Sequence, residues 1–210
     1  MMPLRYLQSG HALIVPEDDC ESVVDSMLET DYNEEFCLAI SFDLEFINRL
    51  MEAGFLVMSM ELKDDDPEGE AENGQEGADS SGNEIIIPDP FFILLPKLHL
   101  IRSVLFFPEL KIKKNIRGFL SKYELRVNED FDFILDKCVQ IHGEGWLTPP
   151  LVDAIKKLHH YSDPKAPFLN NPENRAIPIS FGVYREGELK AGEIGVIIGM
   201  PRITTTHISL

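Results

Sequence analysis

Three groups of residues in this 210-residue chain have types and spacing that could do chemistry. Trp146, the only tryptophan, sits in the run His142-Gly-Glu-Gly-Trp-Leu-Thr-Pro-Pro150, between two amphipathic segments. A glycine-flanked aromatic just ahead of a helix start can offer a stacking surface, and it can equally fill the core beneath a turn. Glu193 stands among Gly192, Gly195 and Gly199 in a segment with strand character. A carboxylate there can accept a proton or hold a basic group, and period-two alternation can equally turn it outward. The third group is cationic. Arg102, Lys113, Lys114 and Arg117 fall in a stretch that suits phosphate contacts, or that forms a solvated helix face.

These residues must be held by elements that the pattern of the chain predicts. In the first sixty residues, Tyr6-Leu7 and residues 11–15 read as short strands. Val23, Val24, Met27 and Leu28 give residues 16–30 a helical spacing, and Phe36 to Ile40 reads as another strand. Ser41 or Asp43 can cap a helix with Leu44, Ile47, Leu50 and Met51 on one face, which Gly54 ends before a strand at 55–60.

From Ile85 a second α/β unit follows. It has expected strands at 91–95 and 99–105, a basic helix at 113–120 and a strand at 123–127. A helix at 130–141 carries Phe131, Ile134, Leu135 and Cys138 as its apolar stripe. Thr148 can cap the next helix, with Pro149 in its first turn. Residues 162–176, with three prolines and three asparagines, read as a loop. Residues 177–184 and 188–198 then form a hairpin through Arg185-Glu186-Gly187.

Charge separates the two units. Residues 63–84 hold nine acidic residues and one lysine, a local charge of −8 with almost nothing to bury, and are expected to be a linker or surface loop. Residues 85–126 hold eight Lys and Arg against three acids, a local charge of +5 within a chain of net charge −17. The overall charge would argue against nucleic acid, but its distribution leaves one basic part. The expected organisation is a small amino-terminal α/β domain over residues 1–62, an acidic connector, and a larger domain over residues 85–210.

Other function classes find no support. Cys20, Cys37 and Cys138 are odd in number and widely spaced, and no His or Cys set has zinc-ligand spacing, so neither a disulfide framework nor a metal site is expected. No GxxxxGK[ST] loop is present, and the glycines at 192, 195 and 199 do not open a helix, so nucleotide binding is unsupported. The apolar runs are far shorter than the roughly 20 residues of a membrane helix. A cytoplasmic protein is expected.

Three blocks taken together resemble the leucyl/phenylalanyl-tRNA-protein transferase family. They are Arg102-Ser-Val-Leu-Phe-Phe-Pro-Glu-Leu110 with the basic helix and strand behind it, the run containing Gly-Trp146, and Val183-Tyr-Arg-Glu-Gly-Glu-Leu-Lys-Ala-Gly-Glu-Ile-Gly195. The resemblance covers residues 102–199 and implies an α/β (α+β) fold. In it, a small amino-terminal α/β domain precedes a mixed-sheet domain similar to the N-acetyltransferase (GNAT-like) superfold, here expected to be incomplete at its carboxy terminus.

The resemblance also implies transfer of Leu or Phe from aminoacyl-tRNA to proteins whose amino terminus is Arg or Lys, marking them for degradation, with no cofactor and no metal. In that frame Trp146 lies near the aminoacyl adenosine. Arg102, Lys113, Lys114 and Arg117 meet tRNA phosphates, and Glu193 accepts the amine proton or binds the basic terminus. Three features differ from the family: its Trp-Trp-Ser-Pro-Asp-Pro run just before Arg102 is replaced by Lys97-Leu-His-Leu-Ile101, its glutamate two residues before a strand Trp or Tyr is Gly182 here, and residues 200–210 do not resemble its continuation. A second reading is a non-catalytic tRNA- or protein-binding form. A third is another acyltransferase of the same superfold that uses a thioester cofactor.

Overall fold

Alternating apolar residues and a capped helix build the first half of the molecule. The computed structural model describes residues 3–62, 90–111, 113–143, 145–161, 176–198 and 202–209. The acidic stretch at 63–84 and the loop at 162–176 fall outside these residues, apart from Ala176 at the end of the second. Strands β1 (Arg5–Tyr6) and β2 (Ala12–Leu13) pair antiparallel and lead into helix α1 (Cys20–Glu29).

Helix α2 (Leu44–Glu52) begins where the Asp43 side chain accepts the Phe46 N–H at 3.0 Å, so Asp43 and not Ser41 supplies the cap. Gly54, at φ 97°, makes the tight turn from α2 into strand β3 (Phe55–Leu62). β3 pairs along its whole length with β4 (Phe91–Leu98), with Phe55 opposite Leu98 and Leu62 opposite Phe91.

Two expected strands take a different form. Residues 36–40 make only isolated bridges, Leu38 to Leu13 and Ala39 to Leu94, the latter on the edge of β4 that β3 leaves open, because the short segment divides its bonds between two different neighbours. Residues 99–105 run on from β4 as irregular chain, with Leu100 and Ile101 exposed to 66% and 92%; an apolar stretch without a partner strand has no ladder to join. The expected basic helix contracts to α3 (Lys114–Arg117) followed by a single 3₁₀ turn at Leu120–Lys122.

The second half is a sheet in the order β5 (Glu124–Val127), β6 (Ala176–Arg185), β7 (Glu188–Ile198) and β8 (Arg202–Ser209). All its pairings are antiparallel, not mixed as the resemblance implies, because neighbouring strands β6, β7 and β8 follow one another directly in the chain. Glu186 and Gly187 take φ 55° and 80°, the left-handed pair that a two-residue hairpin turn requires, and so join β6 to β7. The edge of β7 is not left open, because Arg202–Ser209 pairs with it. Helices α4 (Phe131–His142) and α5 (Pro149–Tyr161) pack on β6, and α4 also packs on β7.

One cluster of buried side chains runs through both halves. It joins Phe46, Ile47 and Leu50 of α2 to Leu151, Ile155 and Leu158 of α5 and to Ile194 and Val196 of β7. Helix α2 packs on α5, β6 and β7, and the buried Asn48 side chain donates to the Ala176 carbonyl at 2.7 Å. That bond satisfies a polar group that would be costly to bury unpaired.

Candidate functional site

The segment between α4 and α5 is pinned at three points. It leaves α4 through Gly143 at φ 78° and brings Trp146, Leu147 and Thr148 against β3. The Ser59 N–H donates to the Trp146 carbonyl at 2.9 Å, and the Thr148 N–H donates to the Ser59 hydroxyl at 3.1 Å. The two hydroxyls lie 2.7 Å apart. Leu147 and Thr148 are buried, whereas Trp146 is only partly buried, with its ring against the core cluster.

Beside Trp146 lies a cavity of about 30 Å³ whose walls are wholly apolar in residue type. Met51 of α2 and Phe55, Leu56 and Val57 of β3 form one side. Trp146, Leu147 and Ile155 of α5 form a second side, and Pro178 of β6 with Ile194 and Val196 of β7 close the third. The amino-terminal half therefore supplies four of the ten lining residues. Residues 102–199, which carry the family resemblance, gave no hint of this contribution. In β3, Phe55, Val57 and Ser59 share the inward face.

Glu193 is not among the lining residues. It pairs across the sheet with Phe181, while Ile194 and Val196 face the cavity, so strand alternation sends its side chain to the opposite face of β7. Gly182, where the resembled family carries a glutamate, is crowded by neighbouring side chains that would have to shift for any larger residue. A Cβ there would stand 2.6 Å from the Tyr184 ring, 3.0 Å from Ile134 and 3.3 Å from Leu189.

The cations take up exposed positions. The Arg102 guanidinium donates to the Gly54 carbonyl, one residue from Phe55 of the cavity wall, and its Nε donates to the His99 carbonyl at 3.3 Å. Lys113 precedes α3, while Lys114 and Arg117 belong to it, and all three are exposed. Around them stand exposed apolar residues, among them Phe106, Ile116 and Phe119. The nearby His99 is held more in its neutral form by burial first, then by the charges of Lys97 and Arg102.

Beneath the sheet, His159 stacks on Phe131 with ring centroids 3.7 Å apart, and its Nδ1 lies 2.8 Å from the carbonyl of Pro178, a cavity residue. A carbonyl can only accept, so Nδ1 carries the proton and donates. Burial lowers the His159 pKa despite that bond. All three cysteines are buried, and burial pushes each thiol up to about 11, which leaves them without nucleophilic character. Among the described residues no group of three or more His, Cys, Asp or Glu side chains is placed to hold a metal, and no helix is long and apolar enough to cross a membrane.

Comparison with known proteins gives one consistent name. No protein-family model matches the chain. A leucyl/phenylalanyl-tRNA--protein transferase of Flavobacterium johnsoniae is 36% identical over 104 residues, 47% of this chain and 42% of the relative. The protein of that name from Pectobacterium atrosepticum is 30% identical over 95 residues, 44% of this chain and 40% of the relative. That from Campylobacter lari is 28% identical over 109 residues, 52% of this chain and 44% of the relative. These matches support that family at modest identity, and each spans less than half of the relative's own length.

Proposed function

We propose that this chain is an aminoacyltransferase of the leucyl/phenylalanyl-tRNA-protein kind. It takes a large apolar amino acid from charged tRNA and passes it to the amino terminus of a protein that begins with Arg or Lys, in the cytoplasm, as a mark for degradation. The observation that carries the reading is the apolar cavity beside Trp146. An aminoacyl-tRNA presents an apolar side chain next to a terminal adenine, and a greasy cavity beside a partly exposed indole answers both. The names of the matched relatives point the same way.

In this reading the amino-acid side chain enters the cavity and the adenine stacks on Trp146. Arg102, at the rim, and Lys113, Lys114 and Arg117 beyond it meet phosphates. The ester is already activated, so the protein's task is to orient it toward the incoming amine. The amine nitrogen bonds to the carbonyl carbon, the ester C–O bond breaks, and the amine's proton ends on the ribose oxygen that departs. No step is assigned to Glu193, which leaves β7 on the other face. The antiparallel sheet β5–β8 with α4 and α5 is taken as the N-acetyltransferase-like domain, and residues 1–62 as a small domain that completes its cavity.

The test is transfer of radiolabelled leucine or phenylalanine from charged tRNA to a peptide beginning with arginine, with the full chain and its Trp146→Ala variant. Transfer by the full chain and its loss in the variant is the expected result. No transfer by the full chain, with tRNA binding retained, would overturn the enzymatic reading in favour of a non-catalytic RNA-binding protein.

A further inference from the structure

A second hollow, of about 410 Å³, opens between helix α4 and the turn that joins β6 to β7, and it shares no lining residue with the cavity beside Trp146. Its volume falls in the roughly 300–1,000 Å³ range of small-molecule sites. The sequence of α4 sets its chemistry. Phe131, Ile134, Leu135 and Cys138 are buried in the fold, while Phe133, Lys137 and Ile141, each four residues from the next, line the hollow along another flank of the helix. Phe133 and Ile141 are 48% and 59% exposed, so α4 presents apolar side chains here that the fold leaves in water. Leu189 and Tyr184 line the hollow from the hairpin, and the Tyr184 hydroxyl is already satisfied by donating to Asp130 at 2.6 Å. From Phe133 to Ile141 the helix rises by about 12 Å, the span of an extended acyl chain of medium length.

Charge selects the occupant. Lys190 is paired with Glu188, and both line the hollow. Lys137 pairs with no carboxylate among the described residues: its ammonium donates to the neutral Gln140 side chain at 2.8 Å and stands 5.8 Å from the centre of the Phe133 ring. In a chain of net charge −17, this apolar groove therefore carries one positive charge in excess. We infer that the groove between α4 and the β6–β7 turn binds a small monocarboxylate, its apolar body along Phe133, Ile141 and Leu189 and its carboxylate on Lys137. A single unbalanced cation suits a monoanion. A phosphate ester, with about two charges at neutral pH, would set its second charge against Glu188.

Titration of the full chain with octanoate, octylamine and octyl phosphate, followed by the methyl NMR signals of Ile141 and Leu189, tests this. Octanoate is expected to shift both signals saturably and to bind severalfold more tightly than the other two. Lys137→Gln is expected to weaken octanoate roughly two- to fivefold, the scale of a partly solvated ion pair, and to remove its advantage over octylamine. Ile141→Asp, at an exposed position, is expected to weaken octanoate about tenfold. No saturable shift at Ile141 and Leu189, binding of octylamine or octyl phosphate as tight as that of octanoate, or undiminished octanoate affinity in either variant would overturn the inference. Shifts confined to Ile155 and Trp146 would overturn it as well, by placing the acid in the other cavity. Each of these outcomes leaves the transferase reading to its own test.

Discussion

The Ser59 hydroxyl lies 2.7 Å from the Thr148 hydroxyl, with Ser59 fully enclosed and Thr148 nearly so. The two residues stand 89 positions apart, one on β3 of the amino-terminal half and one at the start of α5. Together with the bonds from the Ser59 N–H to the Trp146 carbonyl and from the Thr148 N–H back to Ser59, this contact fixes the only tryptophan at the mouth of the cavity.

Removing one side of a buried pair leaves the other unsatisfied, so Ser59→Ala is expected to cost about 1–3 kcal/mol. Ser59→Ala with Thr148→Val is expected to cost less than the sum of the single changes, because the hydroxyls disappear together. Urea unfolding followed by Trp146 emission measures both terms. Strictly additive costs would show that the two hydroxyls do not act as a pair.

Gly182 carries a prediction about the family's glutamate. A methyl at this position already meets the Tyr184 ring at 2.6 Å and Ile134 at 3.0 Å, so Gly182→Ala is expected to destabilise by about 1–3 kcal/mol. Gly182→Glu, which installs the residue type of the resembled family, would force a carboxylate between Ile134, Tyr184 and Leu189. It is expected to abolish cooperative unfolding, read by circular dichroism, and to give no gain in transfer. A well-folded Gly182→Glu protein with raised activity would show that the tight packing around residue 182 yields and that the site can be rebuilt there.

How much of this was legible beforehand depends on where the signal is local. Helix α2 and its exit followed from Asp43, the Leu44/Ile47/Leu50/Met51 spacing and Gly54, because caps and amphipathic stripes are written in adjacent residues. The β6–β7 hairpin followed from its turn for the same reason. Strand status at 99–105 could not be read this way, since it requires a partner edge, and β3, whose first residue Phe55 pairs with Leu98, does not extend that far. The side of β7 on which Glu193 stands depended on which register the sheet adopts, and only the pairing of Phe181 with Glu193 and of Ser180 with Ile194 settled it. The serine at 59 on the inward face of β3 is the local signal of the contact with Thr148, since a polar residue there calls for a buried partner.

The exposed cations make a salt-dependent prediction. If Lys114 and Arg117 contact phosphates, changing either to alanine weakens tRNA binding across sequences and lowers the slope of log affinity against log salt by about one per residue. Fluorescence anisotropy at several salt concentrations measures the slope. Weakened binding with an unchanged slope would mean that the substitutions act through local structure and not through ion release.

His159 gives the chain a dependence on mild acid. Burial beside Phe131 lowers its pKa below the ordinary 6.5, so between that value and the lower folded-state value the unfolded chain binds the extra proton and the folded chain does not. The stability contributed by neutral His159 is therefore fully present above about pH 6.5 and is lost as pH falls through the folded-state pKa. The Pro178 carbonyl and the neighbouring Asp132 both favour the protonated ring and narrow the window, whereas His160 widens it when it is itself charged. His159→Gln removes the titrating group, so urea midpoints taken between pH 7.5 and 5.5 should fall less steeply for the variant than for the wild type. Because His159 holds the backbone of Pro178, a wall of the cavity, the Trp146 emission of the wild type should shift over the same pH interval. Parallel pH profiles for the two proteins would place the acid sensitivity elsewhere, with His99, whose pKa burial also lowers, as the next group to replace.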